Sequence, residues 1–187
     1  MASDRYRTFF LAGGTSLAFR FGHRTSVDIG LFSTVAFESS DLFTQIMVDF
    51  PKTQLLNQTR GSLYLDIGGI QVDLLYHPFP LLHEAEREDG YRLLSIHDVA
   101  AMKVNAVTNR GSKKDFIDLY TLHRQGVPLD ESVRLFVRKY NGNRFLAIRS
   151  LLWFDDADTE PDPRFLNDYT WPMVRREMER IALNMVN

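Results

Sequence analysis

Residues 8–12 form an uninterrupted run of apolar and small side chains that ends in Gly13-Gly14-Thr15. The run has the length of a buried strand, and Leu17, Ala18 and Phe21 then repeat at helical spacing up to Gly22. The pattern predicts a strand, a glycine turn and a helix start in succession. Residues 26–32 alternate, with Val27, Ile29 and Leu31 on one face and Asp28, Gly30 and Phe32 on the other. Leu42, Phe43, Ile46, Met47 and Phe50 make a helical stripe that Ser39 or Ser40 can cap and Pro51 ends. Residues 53–59, 62–67 and 70–76 read as strands, the last two joined by Gly68-Gly69 in a two-residue hairpin loop.

From Ser95 onward the apolar period becomes helical. Ser95 with Asp98 resembles a capping box and opens a helix to Asn109, and Ser112 with Asp115 opens another to Arg124. Helices over 130–140, 144–154 and 170–186 follow. The predicted fold class is α+β, a small mixed sheet with flanking helices over residues 1–94 and a helical region packed on it over residues 95–187.

Composition narrows the function classes. The chain has 187 residues, 44% hydrophobic and 25% charged, with a net charge of −2. That is an ordinary globular mixture, which excludes disorder and a strongly basic coat protein. There is no cysteine, so a disulfide framework, a thiolate metal site and a cysteine nucleophile are excluded. The longest uncharged stretch, residues 8–19, falls short of the roughly 20 residues that span a bilayer. Residues 1–7 lack a signal-peptide pattern. We therefore expect a soluble, cytoplasmic protein without a membrane partner.

Charge is unevenly spread. Between Lys103 and Arg149 ten basic residues stand against four acidic ones, leaving −8 for the remainder. A cationic zone of this kind suits an anionic ligand such as a nucleoside triphosphate or RNA, and it equally suits a solvated helical surface. The acidic run 155–162, with its prolines, reads as a solvated loop.

Candidate chemistry lies in three places. Asp28 and Asp73 each point away from the apolar face of their strand, and if those strands are adjacent the two carboxylates converge. Paired carboxylates on rigid strands suit Mg²⁺, which is commonly held by one or two protein oxygens plus substrate phosphates. Gly13-Gly14-Thr15-Ser16 sits between a strand and a helix, where free backbone N–H groups and the positive helix end receive phosphate. On the third helix Lys103 and Arg110 fall within the apolar stripe of Ile96, Val99, Ala100, Ala106 and Val107. A buried cation needs a partner. For Arg110 the sequence offers Asp118; Lys103 has fewer evident partners, which favours a ligand phosphate over an internal ion pair. Asp115 either caps its helix or joins the site, and His23 and Arg24, just ahead of the Asp28 strand, are within reach of a phosphate. The five histidines show no metal-ligand spacing.

Taken together, Gly13-Gly14-Thr15-Ser16-Leu17-Ala18, the run from Gly22 to Phe32, Gln71-Val72-Asp73-Leu74-Leu75, Asp98-Val99-Ala100-Ala101-Met102-Lys103 and Arg110-Gly111-Ser112-Lys113-Lys114-Asp115-Phe116-Ile117-Asp118-Leu119 resemble the AbiEii/AbiGii toxin family of nucleotidyltransferase-like proteins. The resemblance implies a nucleotidyltransferase fold, a Mg²⁺-bound NTP as substrate, transfer of a nucleotide to tRNA or another acceptor, and a cognate antitoxin partner. It implies Asp28 and Asp73 as metal ligands, with Lys103 as a third catalytic residue. Gly13, Gly14, Thr15, Ser16, Arg24, Lys103, Arg110, Lys114 and Asp115 would be the phosphate and nucleotide contacts. One position departs from the family pattern: Gly30 stands where the second Asp of Asp-x-Asp is expected. A glycine supplies no side-chain ligand, so two expectations follow, an enzyme with a weakened site or a non-catalytic nucleotide-binding or antitoxin-binding module that keeps the fold.

Overall fold

The five predicted strands, with two further short ones, assemble into one seven-stranded mixed sheet in a computed structural model that describes residues 6–186. In chain order the elements are β1 (Phe9–Leu11), α1 (Gly13–Phe21), β2 (Asp28–Ser33), α2 (Ser39–Asp49), β3 (Gln54–Thr59), β4 (Ser62–Ile67), β5 (Ile70–Tyr76), β6 (Glu86–Glu88), β7 (Tyr91–Leu93), α3 (Ile96–Asn109), α4 (Lys113–Arg124), α5 (Leu129–Tyr140), α6 (Arg144–Leu151), α7 (Asp155–Thr159) and α8 (Trp171–Asn184). The sheet order is β3-β4-β5-β2-β1-β7-β6. β2 pairs with β5 in parallel and with β1 antiparallel, and β4 joins β5 through the predicted Gly68-Gly69 turn. Both glycines of that turn have positive φ, +65° and +85°, as a two-residue hairpin loop requires.

The chain divides into two compact units. The strand-rich unit contains residues up to Ser16, Ser26–Pro80 and Ala85–Leu94; the helical unit contains Leu17–Thr25, Leu81–Glu84 and the chain from Ser95 onward. In the strand-rich unit the alternation decides the core. Val72 and Leu74 of β5 and Leu63 and Leu65 of β4 bury one sheet face together with Phe9, Leu42 and Ile46, and Ile29 and Leu31 of β2 pack against them. The α2 residues Leu42 and Ile46 come from the predicted stripe. Neither serine caps α2 as expected: Glu38 is its N-cap, and Ser39 Oγ donates to the Thr59 carbonyl at 2.8 Å.

In the helical unit α3 packs on α4, α5 and α6, and α4 packs also on α7 and α8. Leu119, Leu122, Val133, Ala147, Leu151, Val174 and Met178 are fully buried there. Ser95 caps α3 by accepting from the Asp98 N–H, as the capping box predicts. The acidic run is not simply a solvated loop. It contains α7, Asp158 accepts from Trp171 Nε1 at 2.8 Å, and Asp162 holds Lys113 Nζ at 2.8 Å. A buried ammonium and a buried indole N–H need acceptors, and this run supplies them.

Candidate active site

In the strand-rich unit the register of β2 on β5 places Gly30 opposite Asp73 and Asp28 opposite Gln71. Residues directly opposite share a face, as do residues two apart, so Asp28 and Asp73 lie on the same sheet face, away from the apolar core. They are diagonal neighbours with Cα atoms ~8 Å apart, from a strand spacing of about 4.8 Å and a two-residue rise of about 6.6 Å. Two aspartate side chains can meet at an ion across that span. Asp73 Oδ1 accepts from Gln71 Nε2 at 3.0 Å, and Asp28 Oδ1 lies 3.3 Å from Ser26 Oγ.

The glycine turn joins this row through hydroxyls. Gly13 opens α1 at φ +67°, and Ser16 Oγ donates to its carbonyl at 2.8 Å. Thr15 Oγ1 donates to the Asp28 backbone carbonyl and shares a 2.9 Å hydrogen bond with Ser26 Oγ. The backbone N–H groups of the first helical turn have no intrahelical acceptor and are available to an anion. Thr15 therefore ties the phosphate-type turn to the strand that carries Asp28.

The remaining candidates gather in the helical unit around two carboxylates at one helical spacing, Asp115 and Asp118, both fully buried. For Lys103 the internal ion pair is realised: its Nζ stands 2.8 Å from Asp115 and 2.6 Å from Asp118. An ammonium has three donors, so one remains beyond these two bonds. Arg110 does not point inward. α3 ends at Asn109, Arg110 is the C-cap residue with its side chain 68% exposed, and it pairs with Asp115 at 3.0 Å. Asp115 also accepts from Ser112 Oγ at 2.8 Å, so its carboxylate serves the ion cluster and not a helix cap. Arg24, expected at a phosphate, is buried with both Nε and one terminal nitrogen 2.8 Å from Asp118. His23 Nε2 is also 2.8 Å from Asp118. Lys114 is exposed.

Burial by itself would raise the Asp115 carboxyl, but Lys103 and Arg110 overcome it and hold it at about 2. Asp118 is held lower still: Lys103, His23 and Arg24 outweigh complete burial. Burial would lower Lys103, yet Asp118 and Asp115 raise it. All three groups are ionised at neutral pH.

The cationic zone is smaller at the surface than its sequence charge implies. Lys103, Lys113 and Lys139 are buried against Asp115 and Asp118, Asp162, and Asp98 respectively, while Arg110 and Arg134 pair with neighbouring carboxylates. Lys114, Arg124, Arg138, Arg144 and Arg149 are left exposed. Sequence reasoning missed the roles of Asp118, His23, Asp98 and Lys139. The Asp115/Asp118 spacing on one helix face was the available signal.

Among the described residues no group of three or more His, Cys, Asp or Glu side chains is placed to hold a metal ion. Asp28 and Asp73 are two hard oxygen donors, a set that fits Mg²⁺ only when water and substrate phosphate complete the shell. Nor is any helix of the described residues long and apolar enough to cross a membrane.

Comparison with known proteins agrees with this fold. The model of the family described as "Nucleotidyl transferase AbiEii toxin, Type IV TA system" matches residues 40–186. An uncharacterized protein of Aquifex aeolicus (strain VF5) is 36% identical over 158 residues, covering 81% of this chain and 76% of the relative. Among solved structures, MenT4, a nucleotidyltransferase toxin from Mycobacterium tuberculosis H37Rv, superposes with a TM-score of 0.61 at 15% identity over 94% of this chain and 75% of its own. JHP933 from Helicobacter pylori gives 0.54 at 14% identity over 95% and 83%. At those identities the two structures speak for the fold alone. The family match over most of the chain, together with the relative at 36% identity, places the chain in the AbiEii nucleotidyltransferase toxin family.

Proposed function

We propose that this protein transfers a nucleotide from an NTP to tRNA or another acceptor, with Asp28 and Asp73 holding Mg²⁺ and the 13–16 turn receiving the phosphates. The observation that carries the reading is the shared sheet face of Asp28 and Asp73, with Thr15 hydrogen-bonded to the Asp28 backbone from the start of α1. Bound there, Mg²⁺ would supply charge neutralisation on the phosphate oxygens. The backbone N–H groups of Gly14, Thr15 and Ser16 orient the phosphate chain. In the reaction an acceptor hydroxyl oxygen bonds to the α-phosphorus, the bond to pyrophosphate breaks, and the hydroxyl proton is released. In the helical unit Asp115 orients the cations of Lys103 and Arg110. Membership of a toxin–antitoxin family supports a cytoplasmic protein with a cognate antitoxin as partner.

A second reading, a nucleotide-binding or antitoxin-binding module without turnover, draws on Gly30. A Cβ built at Gly30 would stand 3.2 Å from the Phe32 ring, so the place of a second carboxylate is partly filled by an aromatic side chain. Incubation with each labelled NTP, Mg²⁺ and bulk tRNA separates the two. Label on RNA is the expected result. Saturable NTP binding with no labelled product would replace the transferase by the nucleotide-binding module, and neither binding nor product would remove both of those and leave antitoxin binding alone.

A further inference from the structure

Within the strand-rich unit the sheet register continues past the Asp28–Asp73 pair. Tyr64 of β4 lies directly opposite Asp73 of β5, and Asn57 of β3 lies directly opposite Tyr64. Opposite residues share a face, so Gly30, Asp73, Tyr64 and Asn57 form one row across β2, β5, β4 and β3. At about 4.8 Å per strand, Tyr64 is the immediate neighbour of Asp73, and Asn57 stands about 10 Å from it. Alternation on β4 fixes the face. Leu63 and Leu65 are wholly buried in the core with α2, and Tyr64 between them stands half-buried on the other side.

The chemistry of this row differs from that of a phosphate site. Among the described residues the Tyr64 hydroxyl makes no hydrogen bond and its ring contacts no other ring. Asn57 is exposed, and its Oδ1 accepts from the Gln58 N–H at 2.8 Å, which leaves both hydrogens of Nδ2 as donors. On this face of the four strands the charged side chains are Asp28, Asp66 and Asp73, all acidic. Such a surface repels a phosphate backbone and suits an uncharged, flat group with polar edges.

The order of parts across the sheet assigns that group a role. β1 borders β2 on the side away from β5, and the 13–16 turn that follows β1 is tied to Asp28 by Thr15. The sequence across the sheet is therefore turn, Asp28, Asp73, Tyr64, Asn57. In phosphoryl transfer the attacking and leaving oxygens stand roughly in line on opposite sides of the phosphorus. With pyrophosphate leaving toward the turn, the acceptor hydroxyl approaches from the far side, over β5 and β4. Its oxygen bonds to the α-phosphorus, the bond to pyrophosphate breaks, and the hydroxyl proton passes to water.

We propose that Tyr64 and Asn57 form the acceptor subsite and that it takes an unstacked nucleotide at the end of a single-stranded RNA, with Tyr64 stacking on the base and Asn57 donating to its edge. The inference deepens the proposed transferase and rests on that reading for the direction of attack. Splayed bases of single-stranded RNA are received by aromatic rings, with little regard to base identity. Because the row carries no cation, its share of the binding is independent of salt, unlike contacts to backbone phosphate.

The test titrates the full chain into fluorescently labelled oligoadenylate without NTP or divalent ion and follows anisotropy. Affinity should fall about tenfold in Tyr64→Leu, by the same factor at low and at high salt, and about threefold in Asn57→Ala. Tyr64→Phe keeps the ring and should recover most of the loss. Gln58→Ala, beside Asn57 but paired with Leu63 on the opposite face, should match the parent. In transfer assays Tyr64→Leu should raise the KM for the RNA acceptor and leave the KM for NTP at the parent value. Unchanged oligoadenylate affinity in Tyr64→Leu, or in Asn57→Ala if Tyr64→Leu does not fold, would overturn the proposal. So would a rise in the NTP KM alone, or a parent that does not bind oligoadenylate. A parent that transfers nothing, yet whose oligoadenylate affinity depends on Tyr64, would count against the proposed transferase and leave the RNA subsite standing.

Discussion

Replacing Lys103 by methionine removes the cation shared by Asp115 and Asp118 while keeping most of the side chain's volume. Taking one partner from a buried ion pair costs about 3–5 kcal/mol, because the charge left behind is desolvated and uncompensated. Here Asp115 keeps Arg110 and Ser112, and Asp118 keeps His23 and Arg24, so the low end, about 3 kcal/mol at pH 7, is expected. The pH dependence identifies the cause. In the parent, Asp115 sits at about 2 against an ordinary 3.8, a difference worth about 2 kcal/mol. A depressed carboxyl contributes that stability above pH 3.8 and loses it as pH falls through 2. Without Lys103 the depression shrinks, so the variant has less to lose on acidification. Urea unfolding followed by circular dichroism should therefore show a penalty of about 3 kcal/mol at pH 7 that narrows to about 1 kcal/mol near pH 3. A penalty of equal size at both pH values would refute the electrostatic account and assign the effect to lost packing.

Other perturbations test the scaffold. Lys139→Met leaves buried Asp98 with Ser95 and two backbone N–H donors, and a loss of about 3–5 kcal/mol in chemical denaturation is expected. Gly142→Ala would bring a Cβ to 2.3 Å from the buried Phe136 ring, so a loss of about 1–3 kcal/mol should appear as a lower melting temperature, which Gly142→Ala with Phe136→Leu should partly restore. Gly30→Asp meets the Phe32 ring at 3.2 Å; if the ring is what blocks a carboxylate there, Gly30→Asp with Phe32→Ala should bind Mn²⁺ more tightly than Gly30→Asp alone, as isothermal titration would record.

Much of this organisation is legible in the chain. β4 and β5 fall at the predicted residues because their apolar positions alternate on both sides of a glycine pair that only a hairpin turn explains. The face of Asp28 follows from Ile29 and Leu31 on the other side, whereas Val27, expected with them, precedes β2 and is 78% exposed. β6 and β7 were not legible: three residues each, reading Glu-Arg-Glu and Tyr-Arg-Leu, they lack alternation long enough to register. β7 earns its place by lying parallel to β1, a pairing that neither segment encodes locally. The charge clusters divide in the same way. Lys103 within an apolar stripe announces a buried cation, but its partners lie on another helix, and sequence spacing alone could not choose between those carboxylates and a ligand. Arg110 was misplaced because α3 stops one residue before it, and helix periodicity has no meaning past the cap. The pairing of His23 and Arg24 with Asp118 spans more than ninety residues and left no local trace.

The account stands most directly on the pairing of Asp28 with Asp73. Electron paramagnetic resonance of Mn²⁺ titrated into the parent, Asp28→Asn, Asp73→Asn and Asp66→Asn measures it without requiring turnover. Asp66 is the control, since it lies opposite Gln71 on the same sheet face and accepts from Gly69 N–H in its own turn. The account predicts saturable Mn²⁺ binding in the parent and in Asp66→Asn, with affinity reduced at least about tenfold in each of the other two variants. Equal affinity across all four proteins would contradict it.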